Sequence, residues 1–182
     1  MTFTFTLDKD DRLQHQLFMA SQSERIQKNR RRSRMRITLI LFVIALAFYC
    51  LKDELLMYTF LGYGVLIFIV HPYLLRWRYK RHYRQYINDH FKDDLLNGDI
   101  NISFENREAK TWDNLTSVKI SLIELEQITE TGQYFFVKFR RGTYLIIPKQ
   151  KIPDAEAAAH FLKELGASFK VPYTEQLNWK WA

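Results

Sequence analysis

Two apolar stretches separated by three polar residues decide the fold of this chain. Residues 37–51 read ITLILFVIALAFYCL, and residues 55–75 read LLMYTFLGYGVLIFIVHPYLL. The second stretch has 21 residues, enough for a helix to cross a hydrocarbon core of about 30 Å at about 1.5 Å per residue. The first has 15 residues and needs its flank, where the stem of Arg36 can reach toward lipid headgroups. The sequence therefore predicts a membrane-spanning helical hairpin over 37–75, with its loop at 52–54.

A soluble core and a signal peptide both account less well for these stretches. A pair of buried helices in a soluble core would need a polar-faced shell, which the rest of a 182-residue chain barely supplies. A secretory signal peptide would begin nearer the N-terminus and end at an A-x-A-like site, whereas here a second apolar stretch follows at once.

The positive charge of the chain is concentrated on both sides of the predicted hairpin. The chain has 27 Lys and Arg against 20 Asp and Glu, a net charge of +7. Ten of these cations form what we call the basic collars, five before the hairpin and five after it: Arg30, Arg31, Arg32, Arg34 and Arg36, then Arg76, Arg78, Lys80, Arg81 and Arg84. The remaining 17 basic and 20 acidic residues have a net charge of −3. Because cytoplasmic flanks of membrane helices collect Lys and Arg, the collars predict that both termini are cytoplasmic and that the 52–54 loop is external.

Three interpretations of the collars compete. Fixing the orientation of the hairpin is a sufficient explanation. Binding to headgroups of anionic membrane lipids is compatible with it, since each juxtamembrane cation gains about 1 kcal/mol there. Nucleic-acid binding, suggested by the aromatic residues between the cations of 76–81, is disfavoured because headgroups are the abundant anion at that position. We therefore predict membrane lipids as partners and no nucleic acid.

Small residues in the two stretches predict how the helices pack. Ala45 and Ala47 of the first are expected against Gly62 and Gly64 of the second, where the backbones can approach closely. Alternatively, the glycines only bend the second helix, and His71-Pro72 marks a kink or the end of its embedded part.

The segments next to the hairpin predict helices. Residues 1–36 begin with the alternating strand TFTFTL at 2–7, followed by a polar helix over 8–34 with Asp8 as its N-cap. After the hairpin, residues 76–98 predict a separate basic juxtamembrane helix ended by Asn97-Gly98.

Residues 99–166 predict an α+β domain in the cytoplasm. The segments 134–139 and 143–147 are strongly β-forming and flank a turn at Arg141-Gly142, which predicts a hairpin with an edge near 134–147 open to strand addition. Pro153-Asp154 opens an amphipathic helix that Gly166 is expected to end. The aromatic tail, 167–182, is expected to dock on the protein or to contact the bilayer surface.

The pattern of this domain resembles a known family. Tyr134-Phe135-Phe136-Val137, then Tyr144-Leu145-Ile146-Ile147-Pro148-Lys149 and Phe161-Leu162, are similar to the C-terminal domain of bacterial YcxB-like proteins. The resemblance covers nearly the whole chain. It implies a multi-pass protein of the bacterial inner (cytoplasmic) membrane with a two-helix hairpin. It also implies a pleckstrin-homology-like (PH-like) antiparallel β-sheet or barrel closed by a C-terminal helix. Gln150-Lys151-Ile152 departs from the aromatic or basic pair usual in the family after Pro148-Lys149.

Catalytic motifs are absent from the sequence. The five histidines form no H-E-x-x-H motif, and no G-x-S-x-G, Walker A or G-x-G-x-x-G pattern occurs in a matching context. The single cysteine, Cys50, excludes an internal disulfide framework and a cysteine-based zinc site. We therefore predict no catalytic residue, no metal, no cofactor and no small-molecule substrate.

The sequence favours a membrane-anchored binding or scaffolding module for an unknown protein partner or for lipid. The alternative is a structural subunit that self-associates through the faces of its spans that carry Ala45, Gly62 and Gly64.

Overall fold

A computed structural model describes residues 1–90, 99–113, 116–140 and 142–181. The chain divides into two compact units. We call Met1–His15 with Ile87–Lys180 the α+β unit, and Gln16–Tyr86 with Trp181–Ala182 the helical unit. The described residues form four α-helices: α1 (Lys9–Gln22), α2 (Glu24–Cys50), α3 (Glu54–His90) and α4 (Ala155–Ser168).

The strands of the α+β unit form two four-stranded sheets. The first has the order β1-β2-β3-β4 and is antiparallel, with β1 (Thr2–Thr6), β2 (Asp99–Glu105), β3 (Glu108–Trp112) and β4 (Ser117–Ser121). The second has the order β7-β6-β5-β8, with β5 (Leu125–Thr131), β6 (Tyr134–Phe139), β7 (Tyr144–Pro148) and β8 (Tyr173–Gln176). Its last strand, β8, runs parallel to β5. The predicted combination of helices with an antiparallel sheet is confirmed in outline. Of the two predicted alternatives, sheet or barrel, the barrel is wrong, because no ladder among the described strands joins the two sheets into a closed cylinder.

Tight turns join the antiparallel strands. Asn106 and Arg107 both have positive φ, 50° and 62°, as a two-residue hairpin between β2 and β3 requires. Between β6 and β7, Gly142 has a φ of 77° that favours glycine. The predicted hairpin is therefore present, but β6 lies inside its sheet, so only β7 of this pair is an edge strand.

Helix α4 contacts both sheets. The helix begins where Pro153-Asp154 predicts it, and the Asp154 carboxylate caps it by accepting a hydrogen bond from the Ala157 amide (2.9 Å). The Phe161 ring lies 6.3 Å from that of Phe3 and 5.8 Å from that of Phe104, both in the first sheet. Toward the second sheet, a Cβ placed on Gly166 would lie 3.7 Å from the Ile128 Cδ1 of β5, and it would lie 3.1 Å from the Val171 carbonyl oxygen just before β8. The helix continues to Ser168, so the prediction that this glycine ends it is wrong: the missing side chain allows close packing instead.

Helix α1 and the C-terminal tail contact β6. As predicted, Asp8 caps α1: its carboxylate accepts from the Asp11 amide at 2.8 Å, and the Asp11 carboxylate accepts from the Asp8 amide at 3.1 Å. The His15 ring stacks on the Phe136 ring at 6.4 Å, and Trp179 meets the same ring edge-on at 6.5 Å. Docking of the tail on the protein is thus confirmed for β8 and Trp179.

The helical unit departs from the predicted boundaries in two places. The helix expected over 8–34 is interrupted at Ser23, where ψ is 109°, so α1 and α2 are separate helices. Helix α3 passes through Pro72 without ending, and the basic segment expected to begin a new helix at 76 continues it. The predicted end at Asn97-Gly98 lies outside the described residues.

Two helices, α2 and α3, are long and apolar enough to cross a membrane. Their apolar side chains are mostly exposed, as at Leu39 (63%) and Val65 (57%). Such exposure is the opposite of what a pair of buried helices in a soluble core would have.

Candidate functional site

The basic collars lie at one end of the helical hairpin. Three contacts fix α2 antiparallel to α3. The Phe48 and Phe60 rings stack at 5.4 Å, a Cβ on Gly64 would lie 3.8 Å from the Leu41 Cβ, and the Arg34 guanidinium lies 3.5 Å above the centroid of Phe68. The first collar lies in the N-terminal half of α2 and the second in the C-terminal half of α3, so the antiparallel packing brings the two collars together.

Within the collars, the arginines differ in their surroundings. Arg30, Arg34 and Arg76 are partly buried. The other seven collar residues are exposed: Arg31, Arg32, Arg36, Arg78, Lys80, Arg81 and Arg84.

Aromatic rings hold several of these cations in place. The Arg30 guanidinium lies 5.1 Å from the Trp181 ring, that of Arg76 lies 5.3 Å from Tyr73, and that of Arg81 lies 5.2 Å from Trp77. Trp181 is itself fixed, since its indole nitrogen donates to the Arg76 carbonyl oxygen at 3.3 Å. Such cation–π contacts orient the guanidinium groups without neutralising them.

A pocket of about 250 Å³ lies between α2 and α3 where the collars meet the apolar stretches. We call it the arginine pocket; it is lined by Gln27, Arg30, Arg31, Arg34, His71, Pro72 and Leu75. No acidic side chain is among these lining residues. His71 is only 8% exposed, and in the described part of the chain its Nδ1 and the Nε of Arg34 are buried without a hydrogen-bond partner. Buried polar atoms of this kind call for a partner, and all the charged groups here would attract an anion.

Two polar residues of the arginine pocket, Gln27 and His71, are not among the predicted site residues. Gln27 stands four and seven residues before Arg31 and Arg34, which places all three on one face of α2. That spacing is a usable signal. His71 is predicted only as part of a kink, and nothing local in the sequence connects it with the arginines of α2.

The small residues predicted to pack the helices separate into two groups. Ala45, at 2% exposure, and Gly64 are buried, and Gly64 lies against Leu41. Ala47 and Gly62 are exposed, and no atom lies within 4 Å of a Cβ placed on Gly62. The structure therefore places only one residue of each predicted pair at the contact between the helices.

The α+β unit contains a polar cluster that attaches α1 to the second sheet. Asp11, 5% exposed, accepts from the Lys151 ammonium at 2.5 Å and from the Tyr134 hydroxyl at 3.0 Å. Asp8 accepts from the same ammonium at 2.8 Å. Burial lowers the pKa of Lys151, but the hydrogen bonds to Asp11 and Asp8 outweigh it and raise that pKa. Burial and the Asp11 charge raise the pKa of the Tyr134 phenol.

A second cluster ties the C-terminal strand to the sheet. The Glu130 carboxylate of β5 accepts from the Lys149 ammonium at 2.6 Å and from the Tyr173 hydroxyl. Burial favours the neutral acid, but these two donors hold the pKa of Glu130 below its ordinary value. Both clusters consist of satisfied ion pairs that join elements of the unit, so we interpret them as structural.

Among the described residues, no group of three or more His, Cys, Asp or Glu side chains is placed to hold a metal ion. Searches against protein-family models, curated proteins and solved structures found no match to the chain. The resemblance to YcxB-like proteins therefore stays a prediction.

Proposed function

We propose that this chain is a membrane-anchored binding or scaffolding module. Helices α2 and α3 form a multi-pass anchor in the bacterial inner (cytoplasmic) membrane, and the α+β unit is presented to the cytoplasm with both termini. The partners are anionic membrane lipids at the collars and an unknown protein at the α+β unit.

Pairing between β1 and β2 is the observation that carries this proposal. The two strands pair from Thr2↔Ser103 to Thr6↔Asp99, although the helical hairpin lies between them in the sequence. Strands on opposite sides of a bilayer cannot share a ladder, since their backbone groups would have to be satisfied across the hydrocarbon. The pairing thus supports an even number of crossings. The excess of Lys and Arg beside both crossings supports the cytoplasm as the compartment of the α+β unit.

The PH-like and YcxB-like assignments are part of the same proposal. Two antiparallel meanders, β1–β4 and β5–β7, followed by one amphipathic helix, support a PH-like arrangement. In that arrangement α4 closes the space between the sheets. The edge strand β7, which belongs to the predicted hairpin, is one place in the second sheet where an extended peptide could add by strand pairing.

Cysteine labelling tests the orientation. In a Cys50→Ser background, Lys52→Cys lies in the short loop and Lys170→Cys follows α4. Both positions are exposed and both have left-handed φ, 57° and 55°, so the two variants are matched in backbone strain. A maleimide that cannot cross the inner membrane should label Lys52→Cys in intact cells with a permeabilised outer membrane. Lys170→Cys should react only after lysis. The reverse pattern would contradict the orientation.

Self-association through the spans is the alternative function, and the open surface at Gly62 is the observation that favours it. Gly62→Leu adds a side chain without a clash inside the hairpin, so it should disturb only contacts with a second chain. Cross-linking in native membranes should give a monomer and adducts with another protein, unchanged by Gly62→Leu. A ladder of self-adducts that Gly62→Leu abolishes, and that the neighbouring exposed variant Tyr63→Leu preserves, would favour the alternative.

A further inference from the structure

We propose that the arginine pocket binds the phosphate of one anionic glycerophospholipid, and that the adjoining apolar pocket holds one of its acyl chains. This inference rests on the proposed membrane anchoring and makes it specific. The proposed site is only part of the basic collars: three arginines, Gln27 and His71 line one cavity and would contact one ligand.

The donors of the pocket match a phosphate group. A guanidinium binds phosphate oxygens through paired N–H donors in a fixed fork, and Arg30, Arg31 and Arg34 all line the cavity. The Arg34 Nε and the His71 Nδ1 are buried polar atoms that the described residues leave without a hydrogen bond. An anion in the cavity would also relieve the repulsion among arginines that share it.

The size and the position of the pocket favour a lipid headgroup. Its volume of about 250 Å³ is below the range of roughly 300–1,000 Å³ typical of sites for drug-sized ligands. It lies where the collar of α2 gives way to the apolar stretch beginning at Ile37, and where the apolar stretch of α3 ends at Leu75. In the proposed orientation this is the depth of the headgroups of the cytoplasmic leaflet.

The adjoining apolar pocket distinguishes a lipid from a free anion. This second cavity, of about 170 Å³, lies between α2 and α3 and is lined among others by Phe42, Phe60, Val65 and Phe68. Lining residues of the two cavities are in contact: the guanidinium of Arg34, from the arginine pocket, lies 3.5 Å from the centroid of the Phe68 ring, which lines the apolar pocket. Thr38, which also lines the apolar pocket, donates its hydroxyl to the Arg34 carbonyl oxygen at 3.1 Å. A ligand with a phosphate and an adjacent hydrocarbon chain fits this pair of cavities better than inorganic phosphate does.

Native mass spectrometry of the full chain, released from detergent micelles doped with dioleoylphosphatidylglycerol, tests the site. The wild-type chain should retain one such lipid in preference to dioleoylphosphatidylcholine. Arg31→Gln/Arg34→Gln should weaken its retention about tenfold or more, since two charge-assisted contacts are lost. The matched control, Arg32→Gln/Arg36→Gln, removes the same charge from exposed positions of the same helix outside the pocket and should change the affinity less than about twofold.

Further experiments distinguish a bound lipid from free phosphate and provide a test if the double variant does not fold. Inorganic phosphate at high millimolar concentration should not displace the lipid, and Val65→Trp, which fills the apolar pocket without changing charge, should weaken lipid retention. Displacement by phosphate with no effect of Val65→Trp would contradict the acyl-chain part.

Arg31→Gln alone, at an exposed position, should weaken retention in the same direction if the double variant does not fold. Equal losses in both double variants, or no preference of the wild-type chain for the anionic lipid, would overturn the proposal. The labelling of Lys52→Cys and Lys170→Cys is independent of these outcomes. The proposed membrane anchor can therefore be supported even if the proposed lipid site is contradicted.

Discussion

Replacing Asp11 by asparagine is expected to lower the free energy of unfolding of the α+β unit by about 3 kcal/mol. The carboxylate is 5% exposed and serves three donors: the Lys151 ammonium, the Tyr134 hydroxyl and the Asp8 amide. Removing one partner of a buried ion pair costs about 3–5 kcal/mol because the other charge stays desolvated. The lower end applies here, because the side chain of Lys151 is 29% exposed and keeps Asp8 as a partner.

Urea unfolding of the full chain in detergent micelles, followed by near-ultraviolet circular dichroism, measures this loss. Asp10→Asn is the matched control, since Asp10 is the exposed neighbour on the same turn of α1; its effect should stay within about 0.5 kcal/mol. Lys151→Met added to Asp11→Asn should restore part of the lost stability, because it removes the ammonium that has lost Asp11 as a partner. An effect of Asp11→Asn no larger than that of Asp10→Asn would mean that the cluster does not hold α1 on the sheet.

Acidification from pH 7 to pH 4 is expected to destabilise the α+β unit by about 3 kcal/mol through His15 alone. Burial lowers the pKa of His15 to about 4, and the positive charge of Arg12 acts in the same direction. The ordinary value of 6.5 holds in the unfolded chain. Between these two values the unfolded state takes up a proton and the folded state does not. The stability is therefore fully present above pH 6.5 and is lost as the pH falls toward 4.

Replacing His15 by phenylalanine should remove this slope while keeping a ring on Phe136 and Tyr144. His160→Phe is the control, since the side chain of His160 is 76% exposed and pairs only loosely with Glu164 at 3.5 Å. The measurement is the free energy of unfolding at several pH values between 7 and 4; the slope between pH 6.5 and 5 is the most diagnostic, because it lies above the ordinary pKa values of Asp and Glu, about 3.9 and 4.3. A slope that survives in His15→Phe would assign the effect to other groups.

The elements that the sequence predicts well are those determined by nearby residues. The cap of α1 needs only Asp8 and Asp11, and the hairpin of β6 and β7 needs only two short runs of strongly β-forming residues and the turn at Gly142. Pro72 is a misleading local signal: proline removes one hydrogen-bond donor from the helix, but α3 continues through it from Glu54 to His90.

Long-range pairing explains most of the remaining differences. The parallel ladder of β8 on β5 depends on the path that the chain takes after α4, which no local pattern specifies. The arginine pocket likewise depends on the register of α2 against α3, which brings Arg34 to Phe68 and sets His71 into the same cavity. The ten cations can be identified from the sequence, but which of them line the pocket depends on how α2 packs against α3.

The ladder between β1 and β2 also sets the order of events during synthesis. Residues 2–6 leave the ribosome before their partners at 99–103, which follow only after the whole hairpin has been made. At about 5–20 residues per second, β1 waits roughly 5–20 s for its neighbour. The first sheet therefore cannot form before all of α2 and α3 has been synthesised, so the helical hairpin is complete before the α+β unit that encloses it in the sequence.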